Sequence, residues 1–228
     1  MERKRHSLAD YNKPEAFEDA TKFFIIYEGE KKEPAYFGAF NVQHLDPRSA
    51  CVLHIFESDT EVVGSQPKKL MERAESFINN PPKNLRVTPS KEDKFRFVLD
   101  VADHPDEQFG ELKNYCDSLP DADLYISNYC FEVWLWFHLD EQANILCANS
   151  SDMKTALGNK HTEQKLKNYP KSYLEIERIN DAIVRAEVAD TNKENYFPVE
   201  KATKVYLLMK ELLEYSIENN RVKGAEIL

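Results

Sequence analysis

Short apolar runs recur along the first part of the chain, and each is followed by a polar turn and then by a segment of helical periodicity. The first run is continuously apolar from Phe23 to Tyr27 rather than alternating, which is typical of a strand that is covered on both faces. The runs lie at Lys22–Tyr27, Cys51–Phe56, Phe95–Asp100 and Asp123–Ser127. Strands that alternate with helices predict βαβ units, and therefore an α/β fold with a small, mainly parallel sheet flanked by helices.

The segments between and after these strands predict helices at Pro34–His44, Pro67–Asn80, Asp106–Cys116 and Cys130–Leu139. The fourth helix is apolar nearly all round, which predicts that it is buried, with Trp134, Trp136 and His138 in the core. No strand-like run remains after this helix. The later pattern predicts two amphipathic helices, at Tyr173–Val188 and Val199–Asn219.

This pattern divides the chain into a polar arm at 1–20, an α/β core at 20–140 and a helical C-terminal part at 141–228 packed on the core. Apolar residues make up 42% of the 228 positions, which is enough for a core and excludes a disordered chain. The four cysteines show no CxxC spacing, so neither a zinc ribbon nor a disulfide framework is expected. No signal peptide and no membrane-spanning run is found, which predicts a soluble, cytoplasmic protein.

Acidic residues follow three of the four predicted strands. They are Glu28, Glu30 and Glu33 after the first strand, Asp100 and Asp103 at the end of the third, and Glu132 after the fourth. Ligands gather at the carboxyl ends of parallel strands, and carboxylate oxygens are the ligands that Mg²⁺ prefers. The spacing alone leaves open a metal nuclease, a phosphotransferase and a phospho-acceptor domain. Single acids after strands can also simply complement a helix dipole.

One basic segment stands out in a chain whose formal net charge is −10. Residues 151–171 carry five lysines against two acids. The overall charge disfavours indiscriminate binding to nucleic acid, but a local basic segment can still contact a phosphate backbone. Lys165, Lys167 and Lys171 are the residues that we expect to make these contacts, and the alternative is a solvated helix face.

Several segments resemble motifs of the RloB-like family, in the same order and at similar spacing over roughly residues 22–210. The first is an apolar strand followed by E-G-E-K-T-E-P-x-Y-F, and the others resemble D-R-D-D-H, S-N-P-C-F-E-L-W-L-L-L-H, Y-x-K and A-x-x-R-A. The matching segments are Phe23–Phe37, Phe97–His104, Ser127–His138, Tyr169–Lys171 and Ala182–Ala186.

The resemblance implies a Toprim-like fold, in which a Glu after the first strand and a D-x-D after a later strand hold Mg²⁺ or Mn²⁺ for phosphodiester chemistry. RloB-like proteins are associated with phage-defence and restriction loci, often beside an AAA/ABC-type ATPase. Related Toprim effectors act as nucleases, some of them on tRNA. The family therefore implies a metal-dependent endonuclease, with RNA as the substrate class and an ATPase as the partner.

The resemblance also assigns roles to the acids. Glu28 is expected to serve as general base or metal ligand, Asp100 as the principal metal ligand and Asp103 as a second ligand, with Glu132 as a fourth acid near the site. Glu30 and Glu33 are expected to contact metal or substrate.

Three positions depart from the family pattern: Ala102 replaces the second acid of D-x-D (the middle acid of D-R-D-D-H), Lys32 replaces a Thr, and Tyr129 replaces a Pro. Alanine cannot ligate a metal, so either Asp103 substitutes for the missing acid or one metal position is weakened. The competing hypothesis is therefore a catalytically impaired subunit that docks on or regulates the ATPase. The sequence leaves the oligomeric state open, with a homo-oligomer as one option.

Overall fold

The computed structural model describes residues 20–29, 31–46, 50–55, 60–81, 90, 92–101, 104–139, 147–163 and 171–217. Within these ranges the strands form a single sheet in the order β2-β1-β3-β4-β5. They are β1 (Thr21–Tyr27), β2 (Ala50–Ile55), β3 (Lys94–Asp100), β4 (Ala122–Asn128) and β5 (Ala202–Thr203). The first four strands pair in parallel, and β5 runs antiparallel to β4. The predicted α/β class with a mainly parallel sheet is therefore confirmed.

Helices cover both faces of this sheet. They are α1 (Lys32–His44), α2 (Pro67–Asn79), α3 (Asp106–Ser118), α4 (Glu132–Trp136), α5 (Ser150–Glu163), α6 (Ile176–Ala189) and α7 (Val205–Glu214), with a 3₁₀ turn at Lys171–Leu174. Alternate residues of β1 enter two separate cores: Phe23 and Ile25 pack with α1 and α4–α7, whereas Phe24 and Ile26 pack with α2 and α3. This two-sided burial explains why the strand is apolar at every position. No helix in the described ranges is long and apolar enough to cross a membrane.

The structure corrects three details of the predicted elements. The predicted helix at 130–139 is only the five-residue α4, after which the chain turns and Arg185 donates hydrogen bonds to the carbonyl oxygens of Phe137 (2.8 Å) and Leu139 (2.9 Å). The prediction at 173–188 divides into the 3₁₀ turn and α6. The prediction at 199–219 contains β5 before α7, since a two-residue strand has too few positions to show a period.

His138 and the two tryptophans are buried in the core, as predicted. The His138 Nδ1 atom lies 3.1 Å from the Trp134 carbonyl oxygen, and its Nε2 atom lies 3.0 Å from the Tyr36 hydroxyl. Burial lowers the pKa of His138 to about 3, so the ring is neutral at physiological pH. The neutral ring carries a single N–H, and both of its nitrogens lie within hydrogen-bond distance of core atoms. His138 is therefore a hydrogen-bonded part of the core.

A buried arginine joins α7 to the sheet near the amino end of β3. Arg96 in β3 is 2% exposed, and its Nε and Nη2 atoms donate to the two carboxylate oxygens of Glu211 at 2.8 and 2.6 Å. Its Nη2 atom also lies 2.7 Å from Asp121. This paired geometry satisfies the hydrogen-bond donors of the buried guanidinium. Loss of the arginine would leave the carboxylates of Glu211 and Asp121 without the positive charge that compensates them.

The variant Arg96→Met is expected to destabilise the fold by about 3 kcal/mol, because removing one partner of a buried ion pair leaves the other uncompensated. Urea unfolding followed by circular dichroism measures the change. The matched control is Lys113→Met, whose ion pair with Asp117 lies on the surface of α3 and should contribute about 0.5 kcal/mol or less. Equal stability of the two variants would contradict the structural role of Arg96.

Candidate active site

The strand order creates a crevice between β1 and β3. The chain leaves β1 through α1 on one face of the sheet and leaves β3 through α3 on the other face. The two connections therefore diverge at neighbouring strands, and this divergence opens the carboxyl edge of an open parallel sheet to ligands. Glu28 directly follows β1, and Asp100 is the last residue of β3, so both lie at this point.

Hydrogen bonds hold the Glu28 side chain across the crevice. Its Oε2 atom accepts a hydrogen bond from the backbone N–H of Asp100 at 3.1 Å, and its Oε1 atom lies 3.0 Å from Nε2 of His104. The Glu28 backbone N–H donates to the carbonyl oxygen of Val98 at 3.1 Å, which continues the β1–β3 pairing. Both oxygens of this carboxylate are thus oriented by the end of the neighbouring strand.

Glu33 lies in the first turn of α1 and is 7% exposed. Its carboxylate packs directly over Gly29, where an added Cβ would collide with both carboxylate oxygens. A side chain at position 29 would therefore displace the Glu33 carboxylate from its present place. Burial, followed by repulsion from Glu132 and Glu28, raises the pKa of Glu33 to about 7.

Asp100 experiences the same repulsion. Burial raises the pKa of its carboxyl well above the usual range, and the negative charges of Glu33, Glu28 and Glu132 raise it further. We refer to these four residues, Glu28, Glu33, Asp100 and Glu132, as the acid cluster. Their mutual repulsion means that the fully ionised cluster is unfavourable without a compensating cation.

Two lysines contribute positive charge to the cluster. Glu132, which begins α4 and is 3% exposed, forms an ion pair with the Lys32 ammonium. Lys154 in α5 responds to the same acids: burial works to lower its pKa, but attraction to Glu132, Cys130, Asp100 and Glu33 leaves the pKa raised.

The structure describes part of the predicted site. It brings Glu28, Glu33, Asp100 and Glu132 together, and it places Lys171 exposed in the 3₁₀ turn. The positions of Glu30, Ala102, Asp103, Lys165 and Lys167 lie outside the described residues. Among the described residues, no group of three or more His, Cys, Asp or Glu side chains has an arrangement that could hold a metal ion.

Sequence reasoning gave no role in the site to His104 or Lys32, and it counted Lys154 only as part of the basic segment at 151–171. His104 closes the D-x-x-x-H segment, and its position four residues after Asp100 was the available signal. Lys32 and Lys154 are separated by more than a hundred positions, and only the folded chain shows that both face the acid cluster.

Comparison with known proteins identifies the family. A family model described as RloB-like protein matches residues 23–212. The chain belongs to the RloB-like family. The matched part of this RloB-like protein runs from β1 into α7 and includes every member of the acid cluster. No curated protein and no solved structure matches the chain.

Proposed function

We propose that this RloB-like protein is a metal-dependent endonuclease that acts on RNA, with tRNA as the first substrate to test. The observation that supports the proposal is the acid cluster at the β1–β3 crevice, where burial and, after it, repulsion between the acids raise the pKa of both Asp100 and Glu33. A group of acids whose pKa values are shifted by burial and by one another is typical of functional sites.

The donor type of the crevice residues suits a divalent cation, although no three of them among the described residues are arranged to hold one. Carboxylate oxygens are hard ligands, and Mg²⁺ or Mn²⁺ needs only one to three of them because it keeps several waters. We assign Glu28 and Asp100 as ligands, with Glu33 beside them and Asp103 as the expected substitute for the acid missing at Ala102. A bound cation would supply charge neutralisation at the scissile phosphate and a lowered pKa for its water.

The remaining groups of the site position the substrate and the base. Glu28 is oriented by the Asp100 backbone N–H and by His104, which suits a residue that must accept a proton in a defined direction. Glu30 and the lysines Lys165, Lys167 and Lys171 are proposed to contact the nucleic acid. We further propose, from the family's associations, a cytoplasmic effector of phage defence that works with an AAA/ABC-type ATPase.

A second candidate function is a docking or regulatory subunit of that ATPase. The ion pair between Lys32 and Glu132 favours it, because a lysine that neutralises one acid reduces the need for a metal ion. In that case, the acids would contact basic residues of the partner instead of a cation.

Cleavage assays separate the two functions. Purified protein is incubated with Mg²⁺ or Mn²⁺ and labelled tRNA, single-stranded RNA or duplex DNA, with and without the ATPase. Metal-dependent cleavage of RNA supports the nuclease. Absence of both cleavage and metal binding, together with stable association with the ATPase, supports the docking subunit.

The variant Ala102→Asp is expected to bind Mn²⁺ roughly tenfold more tightly than the wild type, because added ligand charge increases the affinity of an oxygen site for a divalent cation. Calorimetric titration of Mg²⁺ and Mn²⁺ measures the effect, and cleavage should increase in parallel. Ala122→Asp is the control. It adds the same charge at the amino end of β4, whereas the acid cluster lies at the carboxyl ends of the strands. Equal metal affinity of Ala102→Asp and the wild type would contradict a metal site at this edge.

A further inference from the structure

A partly exposed tyrosine directly follows β4, at the same edge of the sheet as the acid cluster. Ser127 in β4 is the pairing partner of Asp100 in β3, and its carbonyl oxygen accepts a hydrogen bond from the Val101 backbone N–H at 2.9 Å. Tyr129 follows Ser127 by two residues. Paired strands lie about 4.8 Å apart and two residues span at most about 7 Å, so the Cα atoms of Tyr129 and Asp100 lie within about 12 Å of each other. A chain-like ligand that crosses the crevice can therefore reach the tyrosine as well.

The segment before β5 holds this tyrosine in place. The Tyr129 hydroxyl donates a hydrogen bond to Oε2 of Glu200 at 3.2 Å. The neighbouring Asn128 side chain donates to the Pro198 carbonyl oxygen at 3.3 Å, and β5 pairs with the same end of β4. Residues 198–200 therefore lie alongside the end of β4. The ring is oriented by these contacts before any ligand binds, which reduces the entropy cost of binding.

The ring and a neighbouring valine give this edge a small apolar surface. Val199 lies between Pro198 and Glu200, the two residues that contact the end of β4, and it is 36% exposed. Tyr129 packs with part of its surface against the core that α1 and α4 share, and among the described residues no other aromatic ring contacts it. We refer to Tyr129 and Val199 as the apolar platform. It lies on the same face of the sheet as α1 and α4, which carry two members of the acid cluster.

A flat, uncharged group is the ligand that best suits the apolar platform. The charges of the acid cluster repel an anion that approaches without a cation, so a phosphate is unfavourable next to them. A nucleobase is planar and uncharged, and the bases of a single strand stack on aromatic side chains with little regard to their identity. One strand can therefore place a phosphate at a cation-loaded acid cluster and a neighbouring base on the platform.

We propose that the apolar platform stacks a base of the RNA substrate, with the Tyr129 ring as the stacking surface and Val199 as its extension. This inference rests on the proposed nuclease function and gives it a substrate class, RNA that is single-stranded beside the cleaved bond. Duplex RNA is excluded from the platform, because its bases are already stacked on one another and must be extruded before a protein can bind them.

Two RNAs test the stacking. A fluorescein-labelled single-stranded RNA 20-mer and an abasic 20-mer, which has the same phosphates but no bases, are each titrated with full-length protein in EDTA. Anisotropy is recorded over a series of salt concentrations. Tyr129→Ala should bind the base-containing RNA about tenfold more weakly than the wild type does, because it loses one stacked base. The log–log salt slope should stay the same, because no phosphate contact is lost. The two proteins should bind the abasic RNA equally.

Matched variants separate stacking from other effects. Tyr129→Phe keeps the aromatic face and should bind the base-containing RNA within about threefold of the wild type, and Tyr129→Trp should bind at least as tightly. Tyr115→Ala is the control, because it removes a partly exposed tyrosine from α3 on the other face of the sheet, and its RNA affinity should equal that of the wild type. Circular dichroism confirms that each variant is folded.

The valine has its own matched pair. Val199→Ser removes apolar area from the platform and should weaken binding of the base-containing RNA about threefold. Val63→Ser makes the same change at a valine that is 69% exposed before α2, and it should leave the affinity unchanged. Equal affinities of these two variants would remove Val199 from the platform.

The outcomes distinguish the platform from the nuclease proposal. Equal affinity of Tyr129→Ala and the wild type for the base-containing RNA, an equal loss with the abasic RNA, or undetectable RNA binding by the wild type overturns the platform. If Tyr129→Ala keeps its RNA affinity but no longer associates with the proposed ATPase, the surface docks a protein and the platform is overturned. If binding changes as expected but the wild type cleaves no RNA with any metal ion, the platform is supported and the nuclease proposal fails.

Discussion

A Glu28→Gln variant is expected to lose metal-dependent RNA cleavage by a factor of about 10² to 10⁴ and to retain its fold. Both carboxylate oxygens of Glu28 are engaged, one by the Asp100 backbone N–H and one by His104. The amide keeps one acceptor oxygen but loses the charge and the capacity to take a proton, which is the contribution of a general base or an anionic ligand. His104 can change tautomer to accept from the new NH₂ group, so the local structure should persist.

The cleavage rate of a labelled RNA in Mn²⁺ measures this effect, together with calorimetric Mn²⁺ titration. Glu111→Gln serves as the control, because it removes the same charge from an exposed position of α3. If Glu28→Gln cleaves RNA at the wild-type rate, the catalyst lies elsewhere in the molecule and the proposed site is wrong.

A Glu33→Gln variant is expected to be more stable than the wild type at pH 8 in EDTA, by up to about 3 kcal/mol. The pKa of Glu33 rises from 4.5 to about 7 on folding, so the folded protein holds a proton that the unfolded chain has already released. The stability from this group is fully present below pH 4.5 and is lost as the pH rises through 7. Glutamine remains neutral throughout and escapes that loss.

Urea unfolding at a series of pH values between 4.5 and 8 measures the difference between Glu33→Gln and the wild type. The difference should be near zero at pH 4.5 and should grow to its full value above pH 7. In saturating Mn²⁺ the difference in the free energy of unfolding between the two proteins should become smaller or change sign, because a bound cation stabilises the ionised cluster by mass action. A difference that stays constant with pH would show that Glu33 titrates normally in the folded protein.

The sheet was predictable because its signal is local. A short apolar run rich in β-branched and aromatic residues, such as Phe23–Tyr27, favours a strand buried on both faces, and the alternation of such runs with helices favours parallel pairing. The convergence of Glu28 and Asp100 followed from the same reasoning, since residues at the ends of adjacent parallel strands share an edge. These inferences need only residue type and order.

The remaining features depend on contacts between distant residues. Strand β5 is held against β4 by a 2.8 Å hydrogen bond between the Ser127 and Thr203 hydroxyls and by the Lys204 backbone N–H, which donates to the Ile126 carbonyl oxygen. Its two residues, Ala202 and Thr203, are too few to show a strand period in the sequence. The pairing of Lys32 with Glu132 spans a hundred positions of sequence. A short strand or a single ion pair leaves no periodic pattern, so only the folded structure contains this information.

The contact of β5 with β4 has a consequence for the order in which the chain assembles. Ser127 and Thr203 are 76 positions apart, so the exposed edge of β4 waits for its partner until that much more chain has been synthesised. Closing so long a loop is slow, and an unpaired strand edge is a template for intermolecular pairing in the meantime. During synthesis, all four residues of the acid cluster are therefore present before β5 is available to pair with the edge of β4. This is the stage at which we expect a chaperone to matter most.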